Sequence, residues 1–233
     1  MTVELHDSLD GQVALVTGAN RGIGKAIADG LVDLGATVYA GVRSPDGVEE
    51  RENLRAIRLD VTEEADVGSA MDRIERETER LDVLVNNAAV PGPDGPIGEG
   101  TTGGIDRVLA TNLRGPMLTS KHALPLLLSR NGGRIVNVSS TGGQFSSDAD
   151  RWRGPYSVSK AGVNGLTVQL DATYADDGLV VNAASPGWTR TDLGGPEAPR
   201  SPEEGADTPV WLARFGPGAP GGRFWEDREQ IEW

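Results

Sequence analysis

Short apolar runs bounded by turn residues alternate with helix-like stretches along the whole chain. Val13-Ala14-Leu15-Val16 reads as a buried strand, followed by a glycine-rich turn and a helix over 22–34 that Gly35 stops. Further strands are predicted over 37–42, 55–59, 83–85, 134–138, 180–183 and 223–225. Helices are predicted over 63–80, 102–129, 155–174 and 202–212. Near-continuous apolar strands joined by helices predict one α/β domain over 1–233, with a mostly parallel, doubly wound, seven-stranded sheet covered on both faces. Ligands in such sheets bind beyond the carboxyl ends of the strands. Two segments rich in glycine and proline, 91–104 and 194–202, read as surface loops beside that end, with a substrate loop near 190–202. No internal repeat and no second domain is evident.

Charge narrows the partners. The 233 residues carry 35 acidic against 22 basic side chains, a formal charge of −13. That balance repels nucleic acid and anionic membrane surfaces. No apolar stretch is long enough to span a bilayer, and residues 1–10 are polar rather than signal-like, so a soluble, cytoplasmic protein is expected. There is no cysteine, and His6 and His122 are the only histidines, so neither a thiol nor a histidine metal site is expected. Three lysines against nineteen arginines fit either a high-salt cytosol or a GC-rich genome; the acid excess fits salt better.

Two places carry candidate chemistry. After the first strand comes Thr17-Gly18-Ala19-Asn20-Arg21-Gly22-Ile23-Gly24, whose glycines would let backbone approach a pyrophosphate at a helix N-terminus. Its spacing is G-x-x-x-G-x-G, and the plainer alternative is a tight strand–helix turn. The second strand ends at Arg43, where a dinucleotide site reads the adenosine ribose; an acid there suits NAD and an arginine suits a 2′-phosphate. With Arg21 nearby, two guanidinium groups argue for NADP, unless Arg43 is simply solvated.

The second place is Tyr156-Ser157-Val158-Ser159-Lys160. Four residues is close to one helical turn, so the phenol and the ammonium can share a helix face. A tyrosine with a pKa of about 10 is a poor proton carrier at neutral pH, and a nearby cation favours its phenolate. With Ser140, which closes an apolar strand, the pair can form an acid–base group. His122 lies on a helix and reads as a surface residue.

Together these pieces resemble the short-chain dehydrogenase/reductase family over essentially the whole chain. The matching segments are Thr17 to Gly24, Asp60-Val61, Asn86-Asn87-Ala88-Ala89, Asn112, Ser139-Ser140, the Tyr156/Lys160 pair and Pro186-Gly187. Residues 185–193, 201–209 and 222–233 are similar to the carbonyl reductases of that family. Only fifteen residues separate Ser140 from Tyr156, where those enzymes usually carry a long insertion that covers an association surface. Its absence points to a homo-oligomer, dimer or tetramer, through the helices over 102–129 and 155–174.

The resemblance implies a Rossmann fold, NADP(H) as cofactor and a small-molecule carbonyl or alcohol as substrate. It implies that Tyr156 donates the proton, Lys160 tunes Tyr156 and bonds the nicotinamide ribose, and Ser140 rather than Ser139 bonds the carbonyl oxygen. Asn112 would hold a water linking Lys160 to solvent. Gly18, Arg21, Gly22, Ile23 and Gly24 would line the phosphates, Arg43 the 2′-phosphate, and Asp60 with Val61 the adenine. Asn86 and Ala88 would line the ribose side, and Thr189 would bond the carboxamide after Pro186-Gly187. Asp60 as a turn cap, Asn86 as a loop brace and Asn112 as a surface residue remain the alternatives. Arg151, Trp152 and Trp188 fall near the site, for pocket or for packing. The leading reading is an NADPH-dependent carbonyl reductase; its rivals are an NAD(P)-dependent alcohol or sugar dehydrogenase working oxidatively and a non-catalytic NADP-binding sensor.

Overall fold

The computed structural model describes residues 3–93, 95–145 and 154–233. Strand β1 (Val13–Thr17) is buried along its whole length. Its alternate side chains enter opposite cores, Ala14 and Val16 on one face and Val13 and Leu15 on the other. Helix α1 (Gly22–Asp33) covers the first face with Ile27, Ala28 and Leu31. Helix α2 (Glu64–Thr78) covers the second with Val67 and Ile74.

The remaining strands are β2 (Thr37–Val42), β3 (Leu54–Arg58), β4 (Val83–Asn86), β5 (Arg134–Val138), β6 (Val180–Ala184), β7 (Arg223–Glu226) and β8 (Glu229–Ile231). Their order in the sheet is β3-β2-β1-β4-β5-β6-β7-β8. All neighbours are parallel except β7 and β8. The sheet therefore has eight strands, not the seven expected. Glu229-Gln230-Ile231 is a short, polar edge strand, and such a strand leaves no apolar run to find. Strand order reverses between β1 and β4, so a crevice opens above their carboxyl ends.

The long helix expected over 102–129 is interrupted. Helix α3 (Thr102–Leu109) passes through a π turn (Ala110–Arg114) into α4 (Gly115–Leu127). Helix α5 (Gly154–Tyr174) packs beside it, and α6 (Pro202–Ala213) packs on α1. Ser201 and Glu204 close α6 with a capping box. Among the described residues, no helix is long and apolar enough to cross a membrane.

Candidate active site

A cavity of about 1140 Å3 lies at the crevice and is lined by both groups of candidate residues. Its first wall is the turn after β1. Gly18 has φ of 68° and Gly22 of 54°, a region where a side chain is strained. At Gly24 a Cβ would sit 2.3 Å from the Gly18 carbonyl oxygen and 2.4 Å from Asn87 Nδ2, so only glycine fits. The turn is clasped from β4: Asn87 Nδ2 donates to the Thr17 and Gly18 carbonyls at 2.9 and 3.3 Å. The Thr17 hydroxyl accepts the N–H groups of Asn87 and Ala88, both at 3.0 Å. Helix α1 has no side-chain cap and no acid in its first turn, so its positive end faces the cavity unneutralised. These features fit a pyrophosphate.

The adenosine end lies where β2 and β3 finish. Arg43 and Ser44 line the cavity, and the Arg43 guanidinium forms no ion pair among the described residues. Asp60 accepts the Thr62 N–H at 3.0 Å and its hydroxyl at 2.7 Å. Burial raises the Asp60 pKa, but those two bonds and the charges of Arg43 and Arg58 outweigh it, and the carboxyl titrates below its usual range. Asp60 is thus both a turn cap and a cavity wall. Arg21 also lines the cavity, paired with Asp192 of the opposite loop. Arg107 and Thr111 also line the cavity, unnoticed in the sequence because neither lies in a recognisable motif.

At the other end Ser140, Tyr156 and Lys160 line the same cavity. Lys160 is 3% exposed, and its Nζ donates to the Val138 carbonyl at 2.8 Å and lies 5.6 Å from the Tyr156 ring centroid. Burial pushes the Lys160 pKa down to about 8. The two serines differ in burial. Ser139 also reaches the cavity wall but is buried, its hydroxyl donating to Asn164 Oδ1 at 2.6 Å. Ser140 is half-buried on the cavity, its Oγ accepting the Gly142 N–H at 3.1 Å.

Two expected residues are displaced from the cavity. Asn86 is buried beneath it, donating to Asn137 and Ser120 at 2.9 and 3.2 Å and accepting from Thr119 at 2.6 Å. Its neighbour Asn87 occupies the wall instead, because successive strand-end side chains point to opposite sides. Asn112 is 1% exposed, and its amide accepts from Val90 N–H at 2.9 Å and donates to Val90 O at 3.0 Å and Ser159 at 3.3 Å. Both amide protons have partners, so this side chain braces the loop after β4 against the π turn.

The last wall is the segment after β6. Pro186, Gly187, Trp188 and Thr189 all line the cavity. The Thr189 hydroxyl donates to Pro186 O at 3.1 Å, which leaves its oxygen to accept a bond. Trp188 is 58% exposed, its ring fixed by an indole N–H to Gly194 O at 2.7 Å. Arg151 and Trp152 lie outside the described residues.

Residues 12–201 match the family described as short chain dehydrogenase. The chain belongs to that family. Carbonyl reductase [NADPH] 1 of Sus scrofa is 33% identical over 276 aligned residues, covering 95% of this chain and 94% of its own. The 3-oxoacyl-[acyl-carrier-protein] reductase of Vibrio harveyi is 34% identical over 191 residues, covering 80% and 77%. Among solved structures, the ligand-free aldohexose dehydrogenase of Thermoplasma acidophilum superposes with a TM-score of 0.82 at 28% identity, covering 96% of this chain and 94% of that one. Short chain dehydrogenases are oxidoreductases that bind NAD(P)(H), and this chain is one with a small-molecule substrate. Its relatives include both reductases and dehydrogenases.

Proposed function

We propose that this short chain dehydrogenase reduces a ketone or aldehyde with NADPH. The observation that carries the reading is one cavity holding Ser140, Tyr156 and Lys160 at one end and the Arg43 guanidinium, with no ion pair among the described residues, at the other. Arg43, with Ser44 beside it, would hold the 2′-phosphate, and no acid at the end of β2 is there to take a 2′-hydroxyl. Gly18, Gly22, Ile23 and Gly24 would face the pyrophosphate, Asp60 and Val61 the adenine, and Ala88, Pro186, Gly187 and Thr189 the nicotinamide half.

A nucleotide held by these residues would supply the hydride that a carbonyl carbon takes up. The Tyr156 hydroxyl gives its proton to the carbonyl oxygen as charge develops on it. Ser140 donates a hydrogen bond to the same oxygen. The Lys160 cation, held in place by Val138 O, favours the tyrosinate left behind and so lowers the cost of the transfer. Asn112 acts through the loop and π turn that it holds. In the oxidative direction the same Tyr156 oxygen takes the proton.

The exposed Trp188 face and the glycine-rich walls suit flat, apolar carbonyl compounds. Met117 on α4 and Val158 and Val168 on α5 are 46%, 54% and 43% exposed, which supports association through those helices into a homo-oligomer. The protein is read as cytoplasmic, and its acidic surface as adapted to high salt. The test is a panel of ketones, aldehydes and quinones with NADPH and NADH, at low and multimolar KCl. Carbonyl-dependent oxidation of NADPH well above that of NADH supports the reading; a preference for NADH, or alcohol oxidation alone, overturns it.

A further inference from the structure

The cavity has two walls that share no covalent neighbour, the Ser140 turn and the segment 186–195, yet one element touches both. We propose that the β7–β8 hairpin braces the substrate cleft, with Asp227 and Trp233 as positioning residues for its opposite walls. This rests on the reading of Ser140 and the 186–195 segment as the substrate site.

At the turn of the hairpin, Asp227 takes the Arg200 guanidinium through both oxygens, at 2.7 and 2.8 Å. A planar fork gripped at two points is fixed in orientation as well as distance. Arg200 in turn lies under Gly187, where a Cβ would come within 2.6 Å of the guanidinium. Its backbone forms a bridge with the cavity wall: Arg190 N–H donates to Arg200 O at 2.9 Å, and Arg200 N–H to Trp188 O at 3.3 Å. The turn is also strained. Asp227 and Arg228 have φ of 52° and 61°, where non-glycine residues are uncommon. Such strain persists when contacts outside the turn hold it, and here Arg200 grips Asp227 while Asp207 pairs with Arg228.

Past the other end of the hairpin, the chain crosses to the serine side. Gln144 Nε2 donates to Glu232 O at 2.7 Å, and Phe145 N–H to Trp233 O at 3.2 Å. Trp233 is anchored by stacking on Phe224 of β7, centroids 5.5 Å apart and planes 9° from parallel. Phe224 itself is fully buried. On its inner side the same turn is packed so closely on α5 that a Cβ at Gly143 would meet Ala161 N at 2.7 Å. The serine turn is thus pinned between α5 and the strap, and the strap is part of the element that fixes the facing wall.

The test compares Trp233→Ala, Trp233→Phe and Asp227→Asn in the full chain by amide hydrogen exchange and by steady-state kinetics. Trp233→Ala should speed exchange of the Phe145 amide by about tenfold or more, and Asp227→Asn should do the same at Arg190. Amides of the turn over 18–24 should change by less than about twofold in both. In Trp233→Ala the turnover of the carbonyl should fall with the NADPH dissociation constant unchanged, and Trp233→Phe, which keeps the stack, should restore both readouts. Unchanged exchange at Phe145 and Arg190 overturns the proposal, as does faster exchange with unaltered carbonyl kinetics. Exchange needs no turnover, so a wild-type protein inactive toward every carbonyl would sink the functional reading while the exchange result still decided whether the brace exists.

Discussion

Lys160 Nζ points at the Val138 carbonyl, 2.8 Å away, while passing 5.6 Å from the centre of the Tyr156 ring. One buried cation thus ties the end of β5 to the Tyr156 ring, and its charge is held at the cost of desolvation. With the Lys160 pKa lowered to about 8, turnover should decline as pH rises through that value and the ammonium is lost. A kcat profile flat from neutrality to well above the lysine range would contradict this.

The same shift has a stability consequence of opposite sense. The folded pKa is below the unfolded value, so below about 8 the fold carries the full cost of the buried charge. Between about 8 and the unfolded lysine value of about 10.4, the unfolded state binds more protons and stability rises with pH. Lys160→Met removes the charge and should be the more stable protein near neutrality, by roughly 3 kcal/mol at most. The gap in melting temperature should close as pH climbs; a constant gap would show that burial is not its cause.

Gly24→Ala should abolish nucleotide binding and destabilise the fold. A Cβ there meets the Gly18 carbonyl and Asn87 amide far inside contact distance, and neither can yield without opening the turn. Overpacking of this kind costs about 1–3 kcal/mol. Equilibrium unfolding and titration with 2′,5′-ADP would measure both effects.

Asn86→Ala separates fold from function. It strips partners from Asn137, Ser120 and Thr119 in a buried network, which costs about 1–3 kcal/mol. Because Asn86 is not on the cavity wall, affinity for the nucleotide should hold under conditions where the variant is folded. Asn87→Ala should do the reverse at the glycine turn and weaken nucleotide binding.

That contrast shows where the sequence was readable. Strand runs such as Val13–Thr17 carry their own signal, because a strand buried on both faces must be apolar throughout. The glycines at 18, 22 and 24 were legible for a similar reason: backbone φ and close approach exclude other residues. Asn86 and Asn87 are chemically identical, and only the strand pleat decides which faces the cavity. The π turn was hidden because its driver is a tertiary contact, the Asn112 amide on the Val90 backbone, inside an otherwise regular helical pattern. Strand β8 was hidden because an edge hairpin of charged residues looks like a loop.

The proposed role of Tyr156, proton donor to a carbonyl reduced by NADPH, can be tested directly. The direct measurement is carbonyl-dependent NADPH oxidation by Tyr156→Phe beside the wild type, with NADPH affinity measured in parallel. Loss of turnover by about 10²- to 10⁴-fold with the nucleotide still bound is the expected result. Turnover that survives the loss of the hydroxyl would contradict the mechanism.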